Sequence, residues 1–427
     1  MMTNEENELM TRVGPGTRMG ALLRRYWHPV AASGELARKP TQPVHIFGEK
    51  LVLFRDRSGK LGLVGESCPH RRASLAYGIP TERGLRCPYH GWMFDANGVC
   101  IEQPFEGERH ALHGKKAVKA YPVEEIGGLI YAYLGPDPVP LLPRFEALVW
   151  PRAIRAVGKQ IINCNWLQCM ENTADPVHTE WLHGALHEYR HELAGAKTRI
   201  KQKHAKIAFD AFEYGLIKRR LYEGQSENAH DWTVGHPLVF PNMLLTGSNG
   251  GIWKAHNYQI RVPIDDEHTM HYWYHAYVPP DGAEVPEHLL TQVPPVYRAN
   301  LRDESGDYNL DLIDAQDVMC WETQGAVADR SRETLGASDR GIVEFRRMLK
   351  REMEKSERGE DPIGLVRDAA ANVAIRLPLE EGKDMYHDGF ESMARRQMVS
   401  QAPIFDDLLR TFAQGRRAEP RATEARK

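Results

Sequence analysis

Long hydrophobic runs are missing from this chain: nowhere do apolar residues approach the ~18 in a row that a membrane span requires, so a soluble protein is expected. The opening residues, MMTNEENELMTRVG, are polar and acidic. They lack the basic start and apolar core of a secretory signal, which makes the cytoplasm the expected location. Cysteine is scarce. Six residues (Cys68, Cys87, Cys100, Cys164, Cys169 and Cys320) in 427 are too few for a disulfide scaffold and suit a reducing compartment. Neither sign of charge is in excess, with 55 basic against 58 acidic side chains and a net charge of -3. No overall field attracts nucleic acid, and no nucleic-acid module is visible. A glycine-rich dinucleotide fingerprint following a strand is also lacking, so any nicotinamide chemistry belongs to a separate protein. No repeat recurs at a fixed period.

The length allows two domains and a large core. Against the general scarcity of cysteine, two thiols stand in a pattern: Cys68-Pro-His70, then residues 71–86, then Cys87-Pro-Tyr-His90-Gly-Trp92. Each pair sits among turn-forming Pro and Gly, and the connection is long enough to close a loop but too short to be a domain. Two ligand-bearing loops can clamp one metal centre. A structural Cys2His2 zinc site usually places Cys with Cys and His with His; here each loop carries one of each, as a two-iron two-sulfur cluster with two Cys on one iron and two His on the other requires. Neutral imidazoles in place of two thiolates raise such a cluster from about -400 mV toward roughly -150 to +300 mV, a potential suited to relaying electrons toward oxygen. The alternatives are zinc, or turn histidines beside buried thiols.

A second constellation lies in NCNWLQCMENTADPVHTEWLHG, which holds Asp175, His178 and His183 on a helix-like pattern interrupted by Pro176. Residues five apart on a regular α-helix diverge by about 140° at ~3.6 residues per turn. His178 and His183 therefore share a metal only if the helix widens locally into a π-type turn or ends between them. Two histidines with a carboxylate from elsewhere form a facial triad, which leaves positions on an iron free for oxygen and substrate. Asp175, three residues before His178, can accept its imidazole N–H as an outer partner rather than bind metal. A lone helix histidine is usually a surface residue; the pair gains weight from the cysteine–histidine loops in the same chain.

Taken together, these motifs closely resemble those of the Rieske non-haem iron aromatic ring-hydroxylating oxygenases, catalytic (alpha) subunit, and the similarity runs from Gly-Pro-Gly-Thr near the start to Thr323-Gln324-Gly325. Within that group the details look most like the phthalate dioxygenase type. The resemblance implies that Cys68 and Cys87 bind one iron of a 2Fe-2S cluster and His70 and His90 the other. It also implies that a mononuclear Fe(II) is held by His178, His183 and a downstream carboxylate, with O2 as co-substrate. Of Asp307, Asp311, Asp314 and Asp317, the motif Gln316-Asp317 favours Asp317, with Asp314 second. Implied partners are an NAD(P)H-dependent reductase, alone or with a ferredoxin, and further copies of the same subunit in a trimer or stacked trimers. In that ring Asp175 would bridge His178 to His70 or His90 of the next subunit.

The expected class is α+β: a small antiparallel β domain at 40–137, an N-terminal helix and arm at 1–39 packed on the catalytic domain, a catalytic domain at 138–412 with an antiparallel sheet covered by helices, and a disordered tail at 413–427. The implied activity is dihydroxylation of an aromatic carboxylate of the phthalate, chlorobenzoate or phenoxybenzoate class, with O-demethylation of a methoxylated aromatic acid as the rival. A non-catalytic electron-transfer or redox-sensing protein is the alternative outside enzymology. A buried carboxylate needs a cationic partner, and Lys218, Arg219, Arg220 and Arg261 are the candidates; strand alternation turns Arg219 and Arg220 to opposite sides.

Overall fold

The computed structural model describes residues 2–106, 111–195, 203–249, 254–279, 282–379 and 390–418. The two cysteine–histidine motifs sit in two small sheets. One is four-stranded, from Thr41–Ile46, Glu49–Arg55, Leu61–Gly65 and Ala120–Tyr121; the other pairs Ile79–Thr81, Gly84–Arg86, Met93–Phe94 and Cys100–Glu102. Alternation of apolar and polar residues forms these short strands. Their inward side chains, among them Val52, Phe54, Leu75, Leu85 and Phe94, share one core with Cys68 and Cys87. The N-terminal region is more than an arm. After the helices Asn4–Thr11 and Arg18–Leu23, the buried strand Trp27–Ala32 pairs with Leu129–Tyr133 in a third sheet.

The larger part of the chain is built on an eight-stranded sheet in the order His204–Phe212, Gly215–Tyr222, His236–Val239, Met243–Ser248, Lys254–Pro263, Thr269–Val278, Ile154–Ile162 and Val296–Arg298. It is antiparallel except where Ile154–Ile162 meets Val296–Arg298. Cis Phe240-Pro241 lies in the tight link between the third and fourth strands. Helices Trp166–Ala174 and Ile313–Thr323 lie together on one face of this sheet, and Arg340–Glu357 packs on the former. A buried ionic junction fixes that stack: Glu171 accepts from Arg330 at 2.7 Å and from Arg346 at 2.6 Å. Removing one partner of such a junction leaves a buried charge uncompensated, at a cost of about 3–5 kcal/mol.

The last helix, Phe405–Ala418, runs into the segment expected as a tail because Phe405, Leu408 and Phe412 share an apolar core with Ile154, Ala255 and Tyr277 of the sheet; residues 419–427 lie outside the described residues. No helix among the described residues is long and apolar enough to cross a membrane.

Candidate metal centres

The first centre is built by two tight turns. Cys68 N–H donates to the Ala73 carbonyl and Arg72 N–H to that of Cys68; Cys87 N–H donates to Trp92 and Gly91 N–H to Cys87. Gly91 holds a φ of +76°, and a Cβ there would press on Pro104, so glycine is required at this bend. The turns bring the Cys68 and Cys87 thiols together in the core and set the His70 and His90 rings 4.5 Å apart, with His70 stacked on Trp92. Burial pushes the Cys68 thiol up to about 11, although the backbone amides of His70 and Arg71 point at its sulfur and favour the thiolate. A bound iron would supply the positive charge that stabilises the thiolates. His70 Nδ1 is buried without a hydrogen-bond partner, as a nitrogen reserved for a metal is. Thiols on the inside and imidazoles on the outside fit a cluster with chemically distinct ends.

The second centre starts from the helix Trp166–Ala174, whose first turn is capped by the Asn165 side chain. It stops at Asp175 because the residue before a proline is driven to extended backbone. Asp175 then accepts from Val177 N–H at 2.8 Å and restarts the helix carrying His178. The widening expected between the two histidines is present as a π-helical turn, Trp181–Ala185, closed by Leu186 N–H on the Trp181 carbonyl five residues earlier. That extra residue per turn swings His183 round to His178, so that their ring centroids are 5.2 Å apart. Asp317, from Ile313–Thr323, completes the group: its Oδ1 is 3.7 Å from His178 Nε2 and 3.3 Å from His183 Nε2. One ligand atom from each residue lies within 4.8 Å of the others. Two imidazoles and a carboxylate converging in this way suit a divalent iron with open positions.

Outer partners fix these side chains. His183 Nδ1 bonds Gln316 Oε1 at 2.8 Å, which leaves Nε2 for a metal; Gln316 is itself held by the Leu310 carbonyl. His178 Nδ1 faces Asp175 Oδ2 at 3.5 Å, too long for a good hydrogen bond but close enough for electrostatic pairing. Burial lowers the pKa of His178 against the pull of Asp175 and Asp317. Burial works the other way on Asp317, but His183, His178 and Arg261 outweigh it and hold the carboxyl below its usual range. Asp314, the second candidate, is buried one turn earlier and turned aside. Its oxygens accept from Trp273 Nε1 at 2.7 Å, Gln259 Nε2 at 3.1 Å and Met398 N at 3.2 Å. Burial, with the charge of Asp317, pushes it up to about 6.

A cavity of about 190 Å3 opens beside His178, His183 and Asp317. Leu244, Ile313, Met393 and Trp273 give it apolar walls; Lys218, Arg220, His236, Asn257 and His275 give it polar ones. The four candidate cations separate. Lys218 and Arg220 share the cavity side of their strand, whereas Arg219 turns away to Asp210 and the Trp232 carbonyl. Arg261 is fully buried and does not line the cavity: it donates to Thr173 and Gln259 beneath the helix. Lys218 Nζ donates to the Thr173 carbonyl at 2.8 Å, and burial, with Arg220 and Arg261 adding to it, lowers its pKa to about 7. Arg220 is held by Asp231 at 3.1 Å. Gln316 stood in the sequence only as the neighbour of Asp317, with no role of its own, and Asn257 and His275 carried no motif.

Known proteins resemble this chain along most of its length. Residues 26–122 match the Rieske [2Fe-2S] domain, and residues 301–377 match the LigXa C-terminal domain like family. The oxygenase subunit of 5,5'-dehydrodivanillate O-demethylase from Sphingobium sp. is 43% identical over 382 residues, 88% of this chain and 87% of that one. The oxygenase subunit of phthalate 4,5-dioxygenase from Pseudomonas putida is 33% identical over 399 residues, covering 85% and 89%. Among solved structures, the NdmA variant from Pseudomonas putida CBB5 with caffeine shares the fold, with a TM-score of 0.60 at 20% identity over 80% of this chain and 94% of that one. With a paired cysteine–histidine domain followed by a two-histidine, one-carboxylate centre along nearly the whole length of such relatives, the chain belongs to the Rieske non-haem iron oxygenases, which use a 2Fe-2S cluster, a mononuclear iron and O2.

Proposed function

We infer that this chain is the oxygenase subunit of a multicomponent system that O-demethylates a methoxylated aromatic acid. The demethylase relative is 43% identical and the phthalate dioxygenase relative 33%, which favours demethylation over the ring dihydroxylation expected first. The observation that carries the acid is the pair of cations, Lys218 and Arg220, on the wall of the one cavity that also holds His178, His183 and Asp317.

His178, His183 and Asp317 would hold the mononuclear iron, and Cys68, Cys87, His70 and His90 the cluster. When loaded, the two centres supply stored electrons and oxygen activation. The rest is the work of the chain's own side chains. Gln316 keeps His183 in one tautomer, and Lys218 and Arg220 draw the substrate carboxylate to their wall of the cavity. Leu244, Ile313 and Met393 grip the ring and exclude water, so that a methoxy group is left facing the triad.

Electrons would come from a separate NAD(P)H-dependent reductase, directly or through a ferredoxin. Asp175 would pass them from His70 or His90 of a neighbouring copy to His178 in a head-to-tail trimer. Exposed apolar side chains support that packing: Tyr89 beside His90, and Trp181, Tyr189 and Leu193 on the helical segments at and after His183. A single turnover of the reduced protein with labelled O2 and a panel of methoxylated, phthalate and halogenated aromatic acids decides the reaction. Formaldehyde and a phenol are expected; a diol carrying both labelled atoms would return the enzyme to the dioxygenases.

A further inference from the structure

We propose that Asn257 and His275 form a subsite that reads an uncharged hydroxyl group on the substrate ring. The proposal rests on the demethylase reading for the identity of the ring, but its own hydrogen bonds stand apart from that reaction. The two residues are direct cross-strand partners on the sheet face that lines the cavity. Their side chains bond to each other, His275 Nδ1 to Asn257 Oδ1 at 2.8 Å. After that bond, Asn257 Nδ2 and His275 Nε2 are both buried without a hydrogen-bond partner. Leaving a buried polar atom unpaired is costly, and these two belong to a bonded pair of residues that lines the cavity. The next cross-strand pair on this face, Gln259 and Trp273, is already committed to Asp314.

The chemistry of the orphaned pair selects its ligand. With the amide as placed, His275 Nδ1 is the donor in the mutual bond, so Nε2 is left as an acceptor and Asn257 Nδ2 as a donor. Flipping the amide reverses both roles and again leaves one donor and one acceptor. A hydroxyl both donates and accepts through one oxygen and satisfies the pair in either arrangement. A carboxylate only accepts and would leave one member facing it acceptor to acceptor. Burial lowers the pKa of His275 to about 3, so the ring stays neutral and does not become a second donor at ordinary pH. The cavity therefore offers two unlike pairs on different strands, Lys218 and Arg220 for an anion and Asn257 and His275 for a neutral hydroxyl.

The test is anaerobic equilibrium binding to the full chain with both metal centres loaded. The ligands are a methoxybenzoate with an adjacent hydroxyl, the same acid with hydrogen in place of the hydroxyl, the hydroxybenzoate without the methoxy group, and the methyl ester of the first. Losing the hydroxyl is expected to weaken binding by at least about tenfold, because a site built around a hydroxyl is left unpaired without it. His275→Leu should abolish that ratio, His275→Gln should restore part of it, and both should keep the preference for acid over ester. Equal affinity for the first two ligands in the unaltered protein overturns the proposal, whether or not a variant folds. So does an undiminished ratio in a His275→Leu protein that retains both metals. If the aerobic single turnover of these ligands yields no formaldehyde, the demethylase reading fails, while the hydroxyl ratio measured without O2 still decides the subsite.

Discussion

The two metal-binding regions are built in opposite ways. The cysteine–histidine loops gather four ligands from 23 residues, Cys68 to His90, and hold them by bonds within each turn, such as Cys87 N–H on Trp92. The second centre collects His178, His183 and Asp317 across 140 positions, and depends on a broken helix, a π turn and an outer ring of Gln316, Asp175 and Asn172. Local turns make a robust cage whose parts can be read side by side. A site assembled over distance leaves room for a substrate cavity, at the cost of needing its outer ring to keep it in register.

The sharpest way to break this comparison is to remove one ligand from the distant centre. His183→Ala is expected to lose mononuclear iron and all turnover while the cluster's visible spectrum stays unchanged; a variant that still oxygenates would remove His183 from the ligand set. Asp175→Asn should keep both metals, as metal analysis would show, and slow electron transfer between them by up to ~100-fold as an outer-shell change. Unchanged single-turnover rates would refute its bridging role. Gln316→Leu frees the His183 ring and should weaken iron binding by ~10-fold, measurable by competition with a chelator, with no effect on cluster content.

The smallest effect concerns substrate and pH. Lys218, lowered to about 7 chiefly by burial, is a cation below that pH and neutral above it. A carboxylate binds the cation, so affinity for an aromatic acid should fall as pH rises through 7 and beyond. Lys218→Met should bind weakly throughout, by about tenfold for one lost charge-assisted bond, and show no slope. Lys218→Arg should flatten the slope while staying tight. A slope that survives in Lys218→Met would assign the carboxylate to another group.

Much of this was legible in advance because it is local. Cys68, His70, Cys87 and His90 announce themselves by spacing, and Pro176 with a five-residue interval already demands a distorted helix, found at Trp181–Ala185. The choice of Asp317 over Asp314 rested on the resemblance at Gln316-Asp317, not on any local spacing. One turn apart, both are buried on the same helix, and they differ only in what faces them: Trp273 and Gln259 from the sheet occupy Asp314, and the histidines approach Asp317. Likewise, alternation separates Arg219 from Arg220, but no local rule tells which side is the cavity or that Arg261 lies beneath Thr173.

What the sequence by itself determined is the kind of metal chemistry, since ligand types at fixed short spacings constrain the backbone between them and little else can satisfy them. What only the tertiary structure decided is what turns Asp314 aside from the histidines that face Asp317, which cations reach the cavity, and that Asn257 and His275 are left with an unspent donor and acceptor. Those outcomes depend on which residues far apart in the chain exhaust one another's hydrogen bonds, and that accounting exists only once the sheet and helices have closed on each other.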